Sequence, residues 1–273
     1  MQRRKFLTDS IKAGAAITLA MNGLKGWAMP TKDGFPVVRL PENQRRFTSK
    51  VVEALVATVA TKTSNREIAW LFGNCFPNTL DTTVEHTIQN GRPDTYVITG
   101  DIDAMWLRDS SAQVWPYVRL CSEDDTLRAL IAGVINRQTR CILLDPYANA
   151  FYKDSSKESE WKHDVTVMKP GIHERKWEID SLCYPVRLAY GYYRQTGDKS
   201  VLDAQWVSAM SAIIKTFREQ QRKDNKGPYS FMRRTEWATD GVPLAGYGYP
   251  AKPNGMIFSM FRPSDDATIF PLF

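Results

Sequence analysis

Residues 95–117 read TYVITGDIDAMWLRDSSAQVWPY, and this stretch decides how the rest of the chain is read. It concentrates three acids (Asp101, Asp103, Asp109), one arginine (Arg108) and two tryptophans (Trp106, Trp115) in a strand, a turn and the start of a helix. Thr95 to Thr99 alternates β-branched and aromatic residues, as a short strand does, and Gly100 breaks it. From Asp109 onward the spacing turns helical, with Asp109 or Ser110 as the expected N-cap and Val114, Tyr117, Val118 and Leu120 as the apolar face. Arg108 and Asp109 then sit at a helix mouth beside the indole of Trp106. Such a mouth suits a sugar, because an indole covers the C–H face of a pyranose while a carboxylate and a guanidinium fix its hydroxyls. The plainer alternative is a capped helix with a structural ion pair, since Asp and Ser are common caps.

Outward from that stretch the chain reads as helices. Asn43 to Lys62 carries Phe47, Val51, Leu55 and Val59 at helical spacing; shorter helices are predicted over Asn65 to Phe72 and Thr79 to Ile88. Ser122 to Leu144 places Leu127, Leu130, Ile131, Val134 and Ile135 on one stripe, with Ser122 as cap. Helices are also predicted over Ile179 to Thr196 and Ser200 to Arg222. Between them Asp145 to Lys176 is a long polar insertion, and a loop of that length is usually functional or mobile.

Three times a loop rich in acids and aromatics runs into a helix start: MWLRDS at 105–110, KWEIDS at 176–181 and FRPSDDA at 261–267. A toroid of paired helices would gather these entrances at one end of the ring, where exposed helix N–H groups suit hydroxyl and carboxylate ligands. The competing reading is a helical bundle with three ordinary caps.

Composition narrows the class. The chain has 273 residues, 43% hydrophobic and 24% charged, as ordinary globular domains do. Its net charge of +6 is uneven, because Arg3, Arg4, Lys5, Lys12 and Lys25 stand against Asp9 alone in residues 1–28. The remainder is too weakly basic to imply a nucleic-acid partner. Residues 1–28 read as an export signal: a basic start with the twin-arginine-like string RRKFL, the apolar run AGAAITLAM, then small residues near Ala28. The run is too short to span a membrane. A periplasmic or extracellular location is therefore expected for residues 29–273. Cys75, Cys121, Cys141 and Cys183 show no metal-ligand spacing and read as buried free thiols. The three histidines, His86, His163 and His173, form no cluster, and neither a metal nor another cofactor is expected.

The motifs TGDIDAMWLRDSSAQVWPY (99–117), NCFPNTLDTTV (74–84), ERKWEIDSLCYPVRLAY (174–190) and GMIFSMFRPSDDA (255–267) resemble glycoside hydrolase family 125, in the family's order. The resemblance implies an (α/α)6 barrel and a metal-independent exo-α-1,6-mannosidase that inverts the anomeric carbon of an α-mannoside glycan. An inverting pair consists of an acid that protonates the leaving oxygen and a base that activates water, roughly 6.5 to 9.5 Å apart. By resemblance the acid falls in FRPSDDA, at Asp265 or Asp266, and a neighbouring carboxyl would raise its pKa as a proton donor requires. Arg262 orients that pair or binds a hydroxyl. Arg108, Asp109 and Trp106 resemble the clamp on the terminal sugar, with Glu178 and Asp180 as further contacts. The pattern departs from the family after DDATIFPLF, where fewer helices have been laid down than a closed ring needs. The expectation is an incomplete barrel with the catalytic base beyond Phe273. A carbohydrate-binding remnant without catalysis is the alternative.

Overall fold

The structure is a computed structural model, and it describes residues 31–32, 34–233, 242–250 and 252–261. Strands β1 (Thr31–Lys32) and β2 (Phe35–Pro36) pair antiparallel ahead of a 3-10 turn, Glu42–Gln44. Helix α1 (Lys50–Lys62) then starts later than its apolar spacing predicts, because Ser49 is the cap. The Ser49 hydroxyl accepts from the Val52 N–H and donates to Asp124 at 2.6 Å, so one side chain both starts the helix and anchors it. Helix α2 (Arg66–Cys75) is capped by Asn65, and α3 (Asn78–Thr82) follows.

The helix predicted over Thr79 to Ile88 stops at Thr82. In its place Val84–Gln89 (β3) pairs with Arg92–Val97 (β4), in register from Val84 opposite Val97 to Gln89 opposite Arg92. Asn90 and Gly91 both take positive φ, 51° and 76°, which is the two-residue turn that matches strand twist. The β-branched run Thr82, Thr83, Val84 also favours leaving the helix there.

Residues Met105–Trp106 (β5) lead without a break into α4 (Leu107–Val114), extended by a 3-10 segment, Trp115–Leu120. Helix α5 (Asp125–Leu144) is capped by Asp124, not Ser122: one Asp124 carboxylate oxygen accepts from the N–H groups of Thr126 and Leu127. The predicted stripe on α5 is buried, but so are Ala132, Gly133, Asn136, Gln138 and Thr139. Strand β4 lies directly on this helix at Gly133, where a Cβ would stand 2.3 Å from Thr95 Oγ1. The same hydroxyl donates to the Leu130 carbonyl at 2.8 Å.

The segment 145–176 is an exposed insertion only in part, over residues 153–158 and at scattered positions up to 170. It holds β6 (Ala150–Phe151) and β7 (Ile172–Glu174), which complete a three-stranded sheet in the order β5-β6-β7. Asp145, Asn149, Asp164, His173, Glu174, Arg175 and Lys176 are all buried. Arg175 pairs with Asp145 at 2.8 Å and Arg233 pairs with Asp164, so polarity here marks internal ion pairs.

Helix α6 (Ile179–Thr196) ends at Gly197 in the left-handed region, and α7 (Ala204–Gln220) is capped by Asp203. Helix α4 packs along α6, and α5 packs along both α6 and α7. At the crossing of α6 and the 3-10 segment, a Cβ on Gly191 would come within 2.7 Å of the Trp115 ring. One core gathers around Leu127, Leu130 and Tyr192; a second gathers around Trp177, Phe231 and Phe261. All four cysteines are free: Cys121 and Cys141 are buried as expected, with thiols pushed up to about 12 by burial, whereas Cys75 and Cys183 are exposed.

Candidate active site

The entrance to α4 is set by backbone pairing. Thr99 Oγ1 accepts from the Trp106 N–H at 3.0 Å and donates to the Ala104 carbonyl, while the Leu107 N–H donates to Asn149. The N-cap position is consequently Trp106, which supplies no side-chain cap. Asp109 falls inside the first turn and is free to pair with Arg108 at 3.0 Å. Helix α6 repeats the arrangement: Glu178 occupies the cap position without a side-chain cap bond, and Asp180 lies in the first turn. Arg108 Nε stands 3.4 Å from the Asp180 carboxylate. Neither Asp109 nor Asp180 is a cap, and both negative charges are favoured by the positive ends of their helices.

These two helix mouths open on one cavity of about 630 Å³, bordered by Trp106, Arg108, Asp109 and Glu178. That volume lies in the range of small-ligand sites. Asp180 does not border it but reaches it through Arg108. Glu178 is 2% exposed and accepts from the Ser181 hydroxyl at 3.2 Å.

The far wall comes from the segment read in sequence as an insertion. Asn149 is a two-way brace: its amide nitrogen donates to Glu174 at 2.9 Å, and its oxygen accepts from the Lys176 N–H at 3.1 Å. Burial opposes the charge on Glu174, but Lys176 and Arg233 outweigh it and hold its carboxyl below the usual range. Arg233 forks onto Asp164 at 2.9 and 2.7 Å, reaches Glu174 at 3.0 Å and lies 3.8 Å over the Trp161 ring. Its burial would favour the neutral form, yet Asp164 and Glu174 raise its pKa above the ordinary value. His173 borders the same cavity, and burial pushes its pKa down. Of these wall residues Glu174 and Lys176 belong to a motif singled out in sequence. A cluster of charges flanking apolar residues, as in IHERKW at 172–177, was the available signal.

The third motif is joined to the second at its near end. The Phe261 N–H donates to the Trp177 carbonyl at 3.3 Å, the Ile179 N–H donates to Ser259, and the Trp177 indole donates to the Phe258 carbonyl. Arg262, Asp265 and Asp266 lie outside the described residues. Among the described residues there is no group of three or more His, Cys, Asp or Glu side chains placed to hold a metal, and no helix is long and apolar enough to cross a membrane.

A family model described as metal-independent alpha-mannosidase (GH125) matches residues 65–273. The Meiotically up-regulated gene 157 protein of Schizosaccharomyces pombe is 38% identical over 255 residues, which is 87% of this chain and 50% of that protein. A solved structure of a Streptococcus pneumoniae metal-independent alpha mannosidase, in a non-productive complex with α-1,6-mannobiose, superimposes with a TM-score of 0.75 at 39% identity. It covers 81% of this chain and 51% of that one. The chain thus spans about half the length of both relatives. Its paired helices follow the (α/α)6 arrangement, and from the shared motifs, the fold and the family match together, the chain belongs to glycoside hydrolase family 125.

Proposed function

We propose that residues 29–273 bind a terminal α-mannosyl residue and take part in its hydrolysis from an α-1,6-linked glycan, with inversion at the anomeric carbon. The observation that carries this reading is the meeting of Arg108, Asp109 and Asp180 at two adjacent helix mouths beside Trp106, over a single open cavity. A guanidinium held between two carboxylates offers fixed donors and acceptors to vicinal hydroxyls, and the indole offers a face to the sugar's C–H groups. Glu178 adds a buried carboxylate to the same wall. The general acid is assigned to Asp265 or Asp266, with Arg262 beside it, by resemblance to the family. The acid's proton passes to the glycosidic oxygen as the C–O bond breaks, and water attacks from the opposite face of the ring as a base removes its proton. No metal is required for either step. Residues 1–28 are assigned as an export signal, placing the working protein outside the cytoplasm.

The test is ligand selectivity followed by chemistry. Tryptophan emission should respond saturably to methyl α-mannoside and to α-1,6-mannobiose, and more weakly to methyl α-glucoside, which differs at the 2-hydroxyl. Equal response to both monosaccharides, or none to either, would remove the mannose site. Mannose release by the native protein should then vanish in one of Asp265→Asn and Asp266→Asn; full activity in both would take the pair out of the reaction.

A further inference from the structure

His173 is the one histidine on the cavity wall, and nothing in the reading above employs it. It sits on β7 with 2% of its surface exposed. Its ring is fixed on two sides: it meets the Trp106 indole edge to face at 5.2 Å and the Tyr152 ring at 5.1 Å. Nδ1 lies 2.9 Å from the Tyr152 hydroxyl and 3.7 Å from a Glu160 carboxylate oxygen. Tyr152 does not border the cavity, whereas His173 does. Nδ1 is taken up by the Tyr152 hydroxyl, which leaves Nε2 as the ring nitrogen available to a ligand in the cavity. No described residue hydrogen-bonds Nε2.

From this geometry we infer that His173 is a sugar-binding residue whose neutral imidazole donates an Nε2–H hydrogen bond to a hydroxyl of the mannoside, the Tyr152 hydroxyl donating to Nδ1 to hold that tautomer. The inference rests on the mannoside reading of the cavity. No partner for the Tyr152 hydroxyl other than Nδ1 is found among the described residues, so its proton is best satisfied there. A ring nitrogen's role is set by the bond the other nitrogen makes, and here Nδ1 is an acceptor. The contact with Trp106 adds a second consequence, since the imidazole also buttresses the indole that would carry the sugar face.

The chain has only three histidines, so long-range proton–nitrogen spectra of 15N-labelled protein resolve each ring. At pH 7.5 His173 should show the Nε2-protonated tautomer, and α-1,6-mannobiose should move its Nε2 signal while leaving His86 in place. His173→Ala should weaken mannobiose binding about fivefold to tenfold, the loss expected for one neutral hydrogen bond. His173→Gln, which places an amide N–H near the Nε2 position, should restore binding to within about twofold of the wild type on the same scale. Mannobiose binding that leaves the wild-type Nε2 signal unmoved would overturn the inference, as would an Nδ1-protonated ring or full affinity in His173→Ala. If no mannoside binds at all, the mannose reading itself fails and this inference goes with it.

Discussion

Removing Arg108 separates a structural ion pair from a ligand clamp. Its side chain is 28% exposed, and its partners Asp109 and Asp180 are 33% and 26% exposed, so the Arg108–Asp109 pair is open to water on the cavity side and the Arg108–Asp180 pair, though Nε is buried, keeps part of both side chains in solvent. Pairs so placed contribute about 0 to 1 kcal/mol to folding. If Arg108 instead donates to sugar hydroxyls, a charge-assisted bond worth about 1.5 to 3 kcal/mol is lost from binding. Arg108→Ala should therefore weaken methyl α-mannoside binding about tenfold to a hundredfold, with the urea midpoint almost unchanged. Arg108→Lys should recover only part, because an ammonium cannot fork between two carboxylates. Titration calorimetry and urea denaturation on the same variants read the two effects independently. A loss of several kcal/mol in stability with unchanged mannoside affinity would refute the clamp and return Arg108 to a structural role.

Other expectations follow from the same contacts. Arg233→Ala strips the buried carboxylates of Asp164 and Glu174 of their guanidinium and should cost about 3 to 5 kcal/mol, read from urea unfolding. Gly133→Ala drives a methyl into Thr95 Oγ1 at 2.3 Å and the Thr95 backbone nitrogen at 2.9 Å, and should cost about 1 to 3 kcal/mol; a neutral result would mean that β4 does not rest on α5 there. The pH dependence of stability carries a signature of His173. Burial lowers its pKa from 6.5, against the pull of Glu174 and Glu160 and with Arg233 and Lys157 assisting. The unfolded chain then binds the proton first, so this contribution is complete above pH 6.5 and is lost as pH falls through the lower folded value. The slope of unfolding free energy between pH 7.5 and 5.5 should flatten in His173→Gln, and an unchanged slope would contradict a buried neutral imidazole.

The elements legible in the sequence are those whose signal is local. Leu127, Leu130, Ile131, Val134 and Ile135 repeat with the helical period and form the buried stripe of α5. The hairpin was equally local, since Asn90-Gly91 lies between two strand-compatible runs, but the short apolar run after Thr79 reads as helix or strand alike. The cap at Asp124 lost to Ser122 on paper for a similar reason: both are good caps close together, and only the hydrogen bonds choose.

By itself the sequence determined that paired helices dominate, that acid-bearing loops enter several of them, and that Trp106, Arg108 and Asp109 stand together at one entrance, because these depend on neighbours along the chain. The tertiary structure alone decided that Asp109 and Asp180 are released from capping and share one arginine, and that Asp145, Asp164, Glu174, Arg175 and Lys176 are buried while the other charges between residues 145 and 176 stay in solvent. It also decided that His173 joins the cavity wall. The physical reason is distance along the chain: Asp164 finds Arg233 across 69 positions, and only the packed helices and the β5-β6-β7 sheet bring such residues into hydrogen-bond range.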